Sequence, residues 1–568
     1  MVKEIFRKIS DYKTEHISLA ALILSAAAFL SYLLGLLRDN LLTRTFNAGN
    51  ELDVYFTAFR IPDFIATVLM MGAISVAVIP IFTQNLVKNK PASAEASAGR
   101  EKAFSYLSNL LNLSLIFLII VCGILFIFAP TLVSFIAPGF SPEKKEITVL
   151  LTRIMLLSPI LMGISNIISA VLRVFQRFLI TAISPILYNL GSIVGIIFFV
   201  PVMGISGLAW GIILGAVMHF SIQLPALFKT GFKFNKIFNF LDRDFLLTIK
   251  LTIPRAIGLA ATQINLIIIT AIGSTLAAGS VSVFSLANDL SAPIIGLIAI
   301  PFATAVFPAL SLAISKGDRN DFLLKFHSVF RQILFLIVPA SGLCYILRAH
   351  LVRLVFGAGR FDWTATKLTA ACFGVFMLAI FAQALVYLIA KAFYAFKNTI
   401  IPATVSIVSI AVLPVFAFLF VSLLSEQNAF SSFVSSILRI ENMKNLAVAG
   451  LPLAISVDAL IQLFLLLILL RVKIKGIEFK NLFFFFLRVS FATILTMLFT
   501  YGARQIFGGF MGSSTFLILF FQTAITGGLG LLCYLLAAYI FGLPELESFK
   551  NFVFSQTGFL SFKKNGKY

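Results

Sequence analysis

The sequence predicts an all-α polytopic membrane protein with about 14 transmembrane helices. Two properties of the composition carry this prediction. The 568 residues are 60% hydrophobic with a mean hydropathy of +1.03, and only 12% of them are charged. Soluble globular domains do not reach such an average. The sequence has no long hydrophilic block in which a soluble catalytic domain would fold.

Apolar runs long enough to cross a bilayer, about 20 residues each, recur along the whole chain. They lie near residues 18–37, 62–86, 104–131, 147–171, 178–200, 205–228, 246–273, 281–314, 328–349, 367–394, 401–424, 447–471, 483–506 and 516–541. The eighth run contains Pro293, Pro301 and Pro308. Because proline removes a helical hydrogen bond, we expect this helix to be bent or broken.

The net charge of +21 indicates topology here, although in a soluble protein it would suggest nucleic-acid binding. Lys and Arg accumulate in the cytoplasmic loops of membrane proteins. With the N-terminus in the cytoplasm and alternating loops, most of these residues fall on the cytoplasmic side, including Lys229, Lys233, Lys236 and Arg243. The sequence therefore predicts a multi-pass protein of a bacterial plasma membrane with both termini cytoplasmic, a retained first helix, membrane lipids around it and no nucleic-acid partner.

Two pairs of similar segments indicate that the chain consists of two similar halves. The segment LVSFIAPGF (132–140) matches LVRLVFGAGRF (351–361), and LRVFQRFLITAISP (172–185) matches KAFYAFKNTIIP (391–402). The offset is nearly constant at roughly 217–219 residues. Duplicated halves are typical of transporters that bind substrate at the repeat interface, although aromatic loops ending in proline also arise by convergence. We predict an N-terminal lobe at 1–230, a C-terminal lobe at 231–475, two further helices at 476–542 and a cytoplasmic tail at 543–568.

Catalytic and metal-binding motifs are absent from the sequence. There is no HExxH, GxSxG or Walker A pattern, and the four cysteines and four histidines lack ligand spacing. We therefore expect a transporter rather than an enzyme, without a catalytic residue, metal or cofactor.

Charged side chains next to membrane-length apolar runs are the candidate site. Arg38 and Asp53 flank the polar passage between the first two runs, and Arg255 follows Pro254 inside the seventh. Each such charge costs about 2.5–3.5 kcal/mol near the bilayer centre and usually faces a wet cavity or a ligand. The planar guanidinium suits phosphate, which suggests a cationic cavity for a phosphate-bearing amphiphile. The alternative is that these charged side chains lie at the level of the lipid headgroups, extend towards the membrane surface, or pair with other groups of the protein.

Polar amides in the seventh run fit either interpretation. Gln263 and Asn265 would line the same cavity or bond across helices.

The stretch from Ser31 to Pro80 resembles the MurJ (MviN) family of lipid II flippases, part of the wider superfamily of multidrug, oligosaccharidyl-lipid and polysaccharide exporters. The matching pieces are Gly35-Leu36-Leu37-Arg38-Asp39, Phe46-Asn47-Ala48-Gly49 with Asp53, Ala58-Phe59-Arg60-Ile61-Pro62 and Gly72-Ala73-Ile74-Ser75. Further matches are Gln263-Ile264-Asn265, the segment 287–311 and Ala392-Phe393-Tyr394-Ala395. The resemblance covers essentially the whole chain.

The resemblance implies that the protein moves lipid II, the undecaprenyl-pyrophosphate-linked disaccharide-pentapeptide, from the cytoplasmic to the outer leaflet by alternating access. It implies a cationic cavity for the headgroup and a groove beside the last two helices for the lipid tail. The headgroup residues it suggests, together with our own candidates, are Arg38, Asp53, Arg255, Tyr32, Arg60, Gln263 and Asn265. Wall-synthesis proteins would be further partners.

Departures from the family pattern make this cavity less cationic than usual. Tyr32 and Ala66 occupy positions where many members have arginines, and Met71 occupies one where an acid is common. Asn288-Asp289 lies near a position that is commonly an arginine in the family. Ile269 replaces a residue that binds sodium in some members, which argues against sodium coupling. Arg255 would compensate in part.

Three alternative functions stay open on the sequence. The chain could flip another polyprenyl-linked glycan of the capsule or O-antigen type, act as a non-transporting scaffold of wall synthesis, or modify the lipid-linked precursor. The lack of a catalytic constellation argues against the last, and the intramembrane arginines argue against a scaffold.

Overall fold

The computed structural model describes residues 17–71, 74–87, 93–440, 443, 445–474, 476–511 and 515–547. This part of the chain forms helices and turns, with no strand among the described residues. Residues 1–16 and most of the predicted tail, 548–568, lie outside it.

The helices of the first half are α1 (Ile17–Phe46), α2 (Asn50–Ile65), α3 (Ile74–Val87), α4 (Ser93–Ile136), α5 (Pro142–Met155), α6 (Leu157–Val174), α7 (Phe178–Val194), α8 (Val200–Met203), α9 (Ser206–Ser221) and α10 (Gln223–Phe228). Those of the second half are α11 (Arg243–Ser274), α12 (Ser280–Ile294), α13 (Ile300–Ser315), α14 (Arg319–Phe356), α15 (Trp363–Ala395), α16 (Ile400–Ser425), α17 (Ala429–Leu438), α18 (Gly450–Lys473), α19 (Phe479–Met511) and α20 (Phe516–Ile540). Short π-helical turns follow α2, α7 and α12, at Ala66–Met71, Gly195–Phe199 and Ile295–Ala299, and a 3₁₀ turn precedes α18 at Leu446–Ala449.

Twelve helices among the described residues are long and apolar enough to cross a membrane. They match the predicted segments from the third to the fourteenth, one by one. Helix α1 covers the first predicted segment, while α2 and α3 cover most of the second, in which residues 72 and 73 lie outside the described part. The membrane-protein fold is confirmed, and the count of 14 stays a prediction.

The start of the second segment differs from the sequence-based expectation. We expected a polar passage followed by a helix from Pro62, but α2 already begins at Asn50 and has Pro62 inside it. Gly49, in an extended conformation, is the residue before the first turn. A proline within a helix removes one hydrogen bond, and the carbonyl of Ala58, four residues before Pro62, accepts from the Thr152 hydroxyl at 3.4 Å. A π-helical turn starts at Ala66.

The eighth segment has an irregular turn close to its prolines, and its bend or break stays a prediction. The π-helical turn Ile295–Ala299 separates α12 from α13. It begins two residues after Pro293, which has no backbone N–H to donate in the helical pattern. Pro301 follows at the start of α13, a position that needs no backbone N–H.

The two matched basic-aromatic turns have the same backbone conformation. Gln176 and Lys397 both lie in the left-handed region, with φ of 58° and 57°. In each turn, the N–H of this residue donates to the carbonyl three residues earlier, and the N–H of the next residue donates to the carbonyl five residues before itself. The acceptor carbonyls are those of Arg173 and Leu172 in the first turn and of Tyr394 and Phe393 in the second. This is the helix-ending motif in which a left-handed residue closes the last turn. The shared geometry supports the internal repeat.

Glycines bring α7 and α9 into backbone contact. A Cβ added at Gly191 would overlap the backbone of Gly215, and one at Gly195 would overlap Gly211. Small residues at four-residue spacing allow such close approach in membrane helices. These glycines therefore serve the close packing of the two helices.

The described chain forms two compact units. Unit 1 contains the residues up to Leu286 together with Val355–Ala365 and Ser406–Ser422. Unit 2 contains Ala287–Leu354, Thr366–Val405 and the residues from Leu423 onward. The predicted lobes, 1–230 and 231–475, the helix pair 476–542 and the tail stay predictions.

Candidate functional site

A row of charged side chains runs along one face of α2 in unit 1. Asp53, Arg60 and Asp63 are spaced by seven and three residues, so they point to the same side of the helix. Their partners lie on α11 and on the start of α12. We call Asp53, Arg60, Asp63 and these partners the polar ladder.

Asp53 forms the first contact of the polar ladder. Its Oδ2 accepts a hydrogen bond from the backbone N–H of Gly279 at 2.7 Å, and its Oδ1 accepts from the N–H and hydroxyl of Ser282 at 2.8 and 2.5 Å. The carboxylate therefore caps the N-terminus of α12 from another helix. It satisfies N–H groups that lack an intrahelical partner, at the end where the helix dipole favours negative charge.

The Asp53 carboxyl is almost fully buried, at 2% exposure. It lies outside the twelve membrane-capable helices. Burial raises the pKa of Asp53 above its usual value, while the hydrogen bonds from Ser282 and Gly279 and the charge of Lys144 act in the opposite direction. The Lys144 Nζ lies 3.9 Å from Oδ2, the nearest cation to this carboxyl among the described ion pairs.

Arg60 forms the second contact. Its Nε donates to the Thr270 hydroxyl on α11 at 2.8 Å, and one terminal nitrogen donates to the Ser285 hydroxyl on α12 at 3.1 Å. One guanidinium thus ties α2 to both neighbouring helices. Its planar fork of five donors makes such branching possible.

Asp63 forms the third contact. It accepts a hydrogen bond from Gln263 and lies within the electrostatic reach of Arg60. The Thr67 hydroxyl, one turn further along, donates to it at 3.4 Å. Gln263 and Thr270 are seven residues apart on α11, so one face of α11 serves two successive contacts.

Arg38 on α1 is paired within its own turn. Its Nε and one terminal nitrogen lie 2.9 and 2.8 Å from Oδ1 of Asp39, whose side chain is buried. Tyr188 on α7 lies close enough to be influenced by the charges of both Arg38 and Asp63. Tyr188 therefore lies in the neighbourhood of both the α1 arginine and the polar ladder. Tyr32, two turns before Arg38, is half-buried.

The two remaining candidates lie elsewhere on α11. The Asn265 amide donates to the Ser409 hydroxyl on α16 at 2.8 Å, and its Oδ1 is buried without a hydrogen-bond partner among the described residues. Asn265 is two residues from Gln263 and so points away from the face that carries Thr270. Arg255 is exposed, eight residues before Gln263.

The structure thus brings Asp53, Arg60 and Gln263 onto one polar row, and Arg38 lies apart from that row on α1. Our sequence reasoning missed Asp63 and Tyr188. Asp63 was recognisable in the sequence, because it is an acid three residues after Arg60 at the start of a membrane-length apolar run. Tyr188 had no such signal, because a tyrosine in an apolar helix is common.

Each arginine of this region has an acidic neighbour: Asp39 for Arg38 and Asp63 for Arg60. These acids reduce the net positive charge around the guanidinium groups, and Asp39 also holds that of Arg38 in place. The site can therefore offer oriented N–H donors to an anion without a large excess of positive charge.

Comparison with known proteins was made by sequence and by structure. The family model described as "Lipid II flippase MurJ" matches residues 42–521. A "Probable lipid II flippase MurJ" of Buchnera aphidicola subsp. Baizongia pistaciae is 27% identical over 388 residues, which cover 68% of this chain and 74% of that protein. A "Lipid II flippase MurJ" of Burkholderia cenocepacia is 25% identical over 461 residues, covering 80% of this chain and 83% of that protein.

Two solved structures show the same fold. A structure titled "Lipid II flippase MurJ, inward closed conformation" matches with a TM-score of 0.71 at 22% identity, covering 92% of this chain and 98% of that one. The inward-facing conformation of a multidrug resistance MATE family transporter of the MOP superfamily matches with a TM-score of 0.62 at 12% identity, covering 79% and 95%.

Proposed function

Because the chain belongs to the MurJ family of lipid II flippases, we propose that it flips lipid II from the cytoplasmic to the outer leaflet of the bacterial plasma membrane. The observation that carries this proposal is the family match over residues 42–521, which contains the whole polar ladder. The twelve membrane-capable helices fit a multi-pass inner-membrane transporter. Wall-synthesis proteins that make and consume lipid II would be its partners.

The arginines of unit 1 are the proposed contacts for the pyrophosphate and sugars of the headgroup. Arg38 and Arg60 are held by neighbouring groups, so little side-chain freedom is lost when they bind an anion. Arg255 is exposed on the same helix that carries Gln263 and Asn265. Tyr32 and the two amides add uncharged donors and acceptors that suit sugar hydroxyls.

Alternating access requires contacts that form in one state and break in the other. The polar ladder offers such contacts, since separating α2 from the start of α12 would break the bonds of Asp53 to Gly279 and Ser282. The π-helical turns after α2 and α12 are places where these helices would bend.

The last two helices are the proposed site for the lipid tail. Large apolar side chains of α19 and α20 are exposed, among them Leu498, Phe521, Leu532 and Leu536. A polyprenyl chain gains from apolar contact without needing a polar partner. We propose that the lipid tail follows these helices during transport.

The orientation with both termini in the cytoplasm follows from the loop charges and is part of the proposal. Helix α4 provides its test, because Ala94 lies before its membrane-capable part, Gly99–Ile136, and the exposed Ser141 lies after it. Cysteines placed at these positions should react with an impermeant thiol reagent from opposite sides, the one at 141 from outside. Labelling of both from the same side would contradict the topology.

Complementation tests the function itself. The full chain is expressed in cells depleted of their own MurJ, and lipid II is measured separately in the two leaflets. We expect wild type to restore growth and outer-leaflet lipid II, and Arg38→Ala and Arg255→Ala to lower transport at normal expression. Arg471→Ala is the matched control, since Arg471 of unit 2 is exposed over the Phe479 ring.

Two results would contradict the proposal in different ways. Failure of the well-expressed wild type to restore outer-leaflet lipid II would exclude the flippase function in that host. Full rescue by both Arg38→Ala and Arg255→Ala would leave the function standing and remove these arginines from the headgroup site.

A further inference from the structure

Three arginines of unit 2 meet near the ends of three separate elements. Arg348 lies on α14, Arg439 ends α17 in a left-handed conformation, and Arg504 lies on α19. Arg348 is close enough to Arg439 and Arg504 to be repelled by both. We call Arg348, Arg439, Arg504 and the two tyrosines beside them, Tyr345 and Tyr501, the arginine cluster.

The tyrosines hold the guanidinium groups in position. The Arg348 guanidinium lies 4.5 Å from the centre of the Tyr345 ring, and those of Arg439 and Arg504 lie 5.0 and 5.4 Å from the Tyr501 ring. Arg439 also donates to the Tyr501 hydroxyl at 2.9 Å. Such cation–π contacts fix the planes of the guanidinium groups but leave their positive charge in place.

The remaining bonds of the cluster go to backbone carbonyls. Arg348 donates to the carbonyls of Tyr345 and Leu438 at 2.8 and 3.1 Å, and Arg504 donates to that of Ile346 at 3.3 Å. None of the three arginines forms an ion pair with a carboxylate of the described residues. Each guanidinium has five N–H donors, and Arg439 and Arg504 each use one in the bonds above. Donors and charge are therefore available for an anion.

The depth of the cluster fits a lipid headgroup. Arg348 lies eight residues before the end of α14 and Arg504 seven before the end of α19, so both are roughly 10–12 Å from the ends of their helices. Tyrosine and arginine prefer the membrane–water interface. In the predicted topology this end faces outward.

We propose that the arginine cluster binds the phosphodiester headgroup of an anionic phospholipid in the outer leaflet. Phosphate oxygens accept paired N–H bonds from guanidinium groups in a geometry that ammonium groups do not match. One phosphate would offset the repulsion among three cations for which unit 2 supplies no carboxylate in its described part. The site is separate from the headgroup site proposed in unit 1 and does not depend on the transported substrate.

Native mass spectrometry of the purified full chain tests the proposal. The protein in detergent is titrated with phosphatidylglycerol or with phosphatidylcholine, which has the same phosphodiester but no net charge. We expect wild type to bind phosphatidylglycerol roughly tenfold more tightly. The triple variant Arg348→Gln/Arg439→Gln/Arg504→Gln should lose this preference. The single variant Arg439→Gln, at an exposed position, should lower the preference for phosphatidylglycerol roughly threefold. This variant keeps the test valid if the triple variant does not fold.

The control removes three positive charges elsewhere in unit 2, as Arg471→Gln/Lys473→Gln/Arg488→Gln, and should keep the preference. Three results would each overturn the proposal. They are equal binding of the two lipids by wild type, an unchanged lipid preference in both Arg439→Gln and the triple variant, and the same loss of preference in the control.

Displacement of phosphatidylglycerol by an equal concentration of inorganic phosphate would assign the site to a free anion instead. Tighter binding of undecaprenyl phosphate than of phosphatidylglycerol would assign it to the polyprenyl substrate class. Lipid II transport is not a readout here, so failure leaves the proposed function untouched.

Discussion

The polar ladder of unit 1 and the arginine cluster of unit 2 hold their guanidinium groups by different means. In unit 1, Arg38 lies against Asp39, and Arg60 lies near Asp63 with hydroxyls on two helices as hydrogen-bond acceptors. In the cluster, the acceptors are backbone carbonyls and a phenol, and the neighbours are aromatic rings and other arginines. The first arrangement is close to neutral and the second is strongly positive.

This difference separates two uses of arginine in one membrane protein. Where an acid accompanies the arginine, the acid offsets its positive charge, and removing one partner leaves the other charge unsatisfied in a half-buried place. Where only neutral acceptors accompany it, the protein fixes the side chain without offsetting its charge, so an outside anion completes the arrangement. Unit 2 also contains the paired kind, because Arg331 lies 2.8 Å from Glu545. The contrast is therefore a property of each site and not of the whole unit.

The largest effect is expected at Asp53. The variant Asp53→Ala leaves the N–H groups of Gly279 and Ser282 without their acceptor at a buried helix end. We expect the free energy of unfolding to fall by about 3 kcal/mol, seen as a lower melting temperature in detergent. Glu51→Ala, an exposed position in the same turn of α2, is the control and should change little. A melting temperature like that of wild type would show that the polar ladder does not stabilise unit 1.

The sequence predicts the fold of this protein better than it predicts the contacts of its site. Apolar runs of bilayer length locate twelve helices with small errors at their ends, because a membrane leaves few alternatives to a helix. The start of α2 was mispredicted because Pro62 is usual at the first turn of a helix, whereas here it lies inside one. The structure shows how the helix accommodates it, because the Ala58 carbonyl accepts from the Thr152 hydroxyl of a distant segment.

Candidate site residues were recognisable by type but not by partner. Arg38 and Asp53 stood out because charges beside apolar runs are rare. That Asp53 caps α12 could not be predicted, since Gly279 and Ser282 lie more than 220 residues away in the sequence. The arginine cluster was invisible for the same reason: Arg348, Arg439 and Arg504 come from three distant segments, and each alone fits an ordinary interfacial arginine.

The pairing of Arg60 with Asp63 predicts a smaller effect of definite sign. In a double-mutant cycle with Arg60→Gln and Asp63→Asn, the double variant should be less destabilised than the sum of the single variants, by about 1 kcal/mol. The reason is that each single change leaves the other charge without its neighbour. The measurement is thermal unfolding of all four proteins in one detergent. A parallel cycle of Arg60→Gln with Glu51→Ala should be additive; additivity in both cycles would remove the contrast between the two regions.

The smallest effect is expected at Arg439, and its size depends on the lipid. In phosphatidylcholine, Arg439→Gln loses a cation–π contact and a bond to Tyr501 but also relieves repulsion from Arg348 and Arg504. The two effects oppose each other, so we expect the free energy of unfolding to change by less than about 0.5 kcal/mol. Adding phosphatidylglycerol should raise the melting temperature of wild type more than that of the variant, because a ligand stabilises the folded state it binds. Arg471→Gln should respond to phosphatidylglycerol as wild type does. A loss above 1 kcal/mol in phosphatidylcholine alone would mean that Arg439 is a structural tie like Arg60, and the distinction between the two kinds of arginine site would no longer hold.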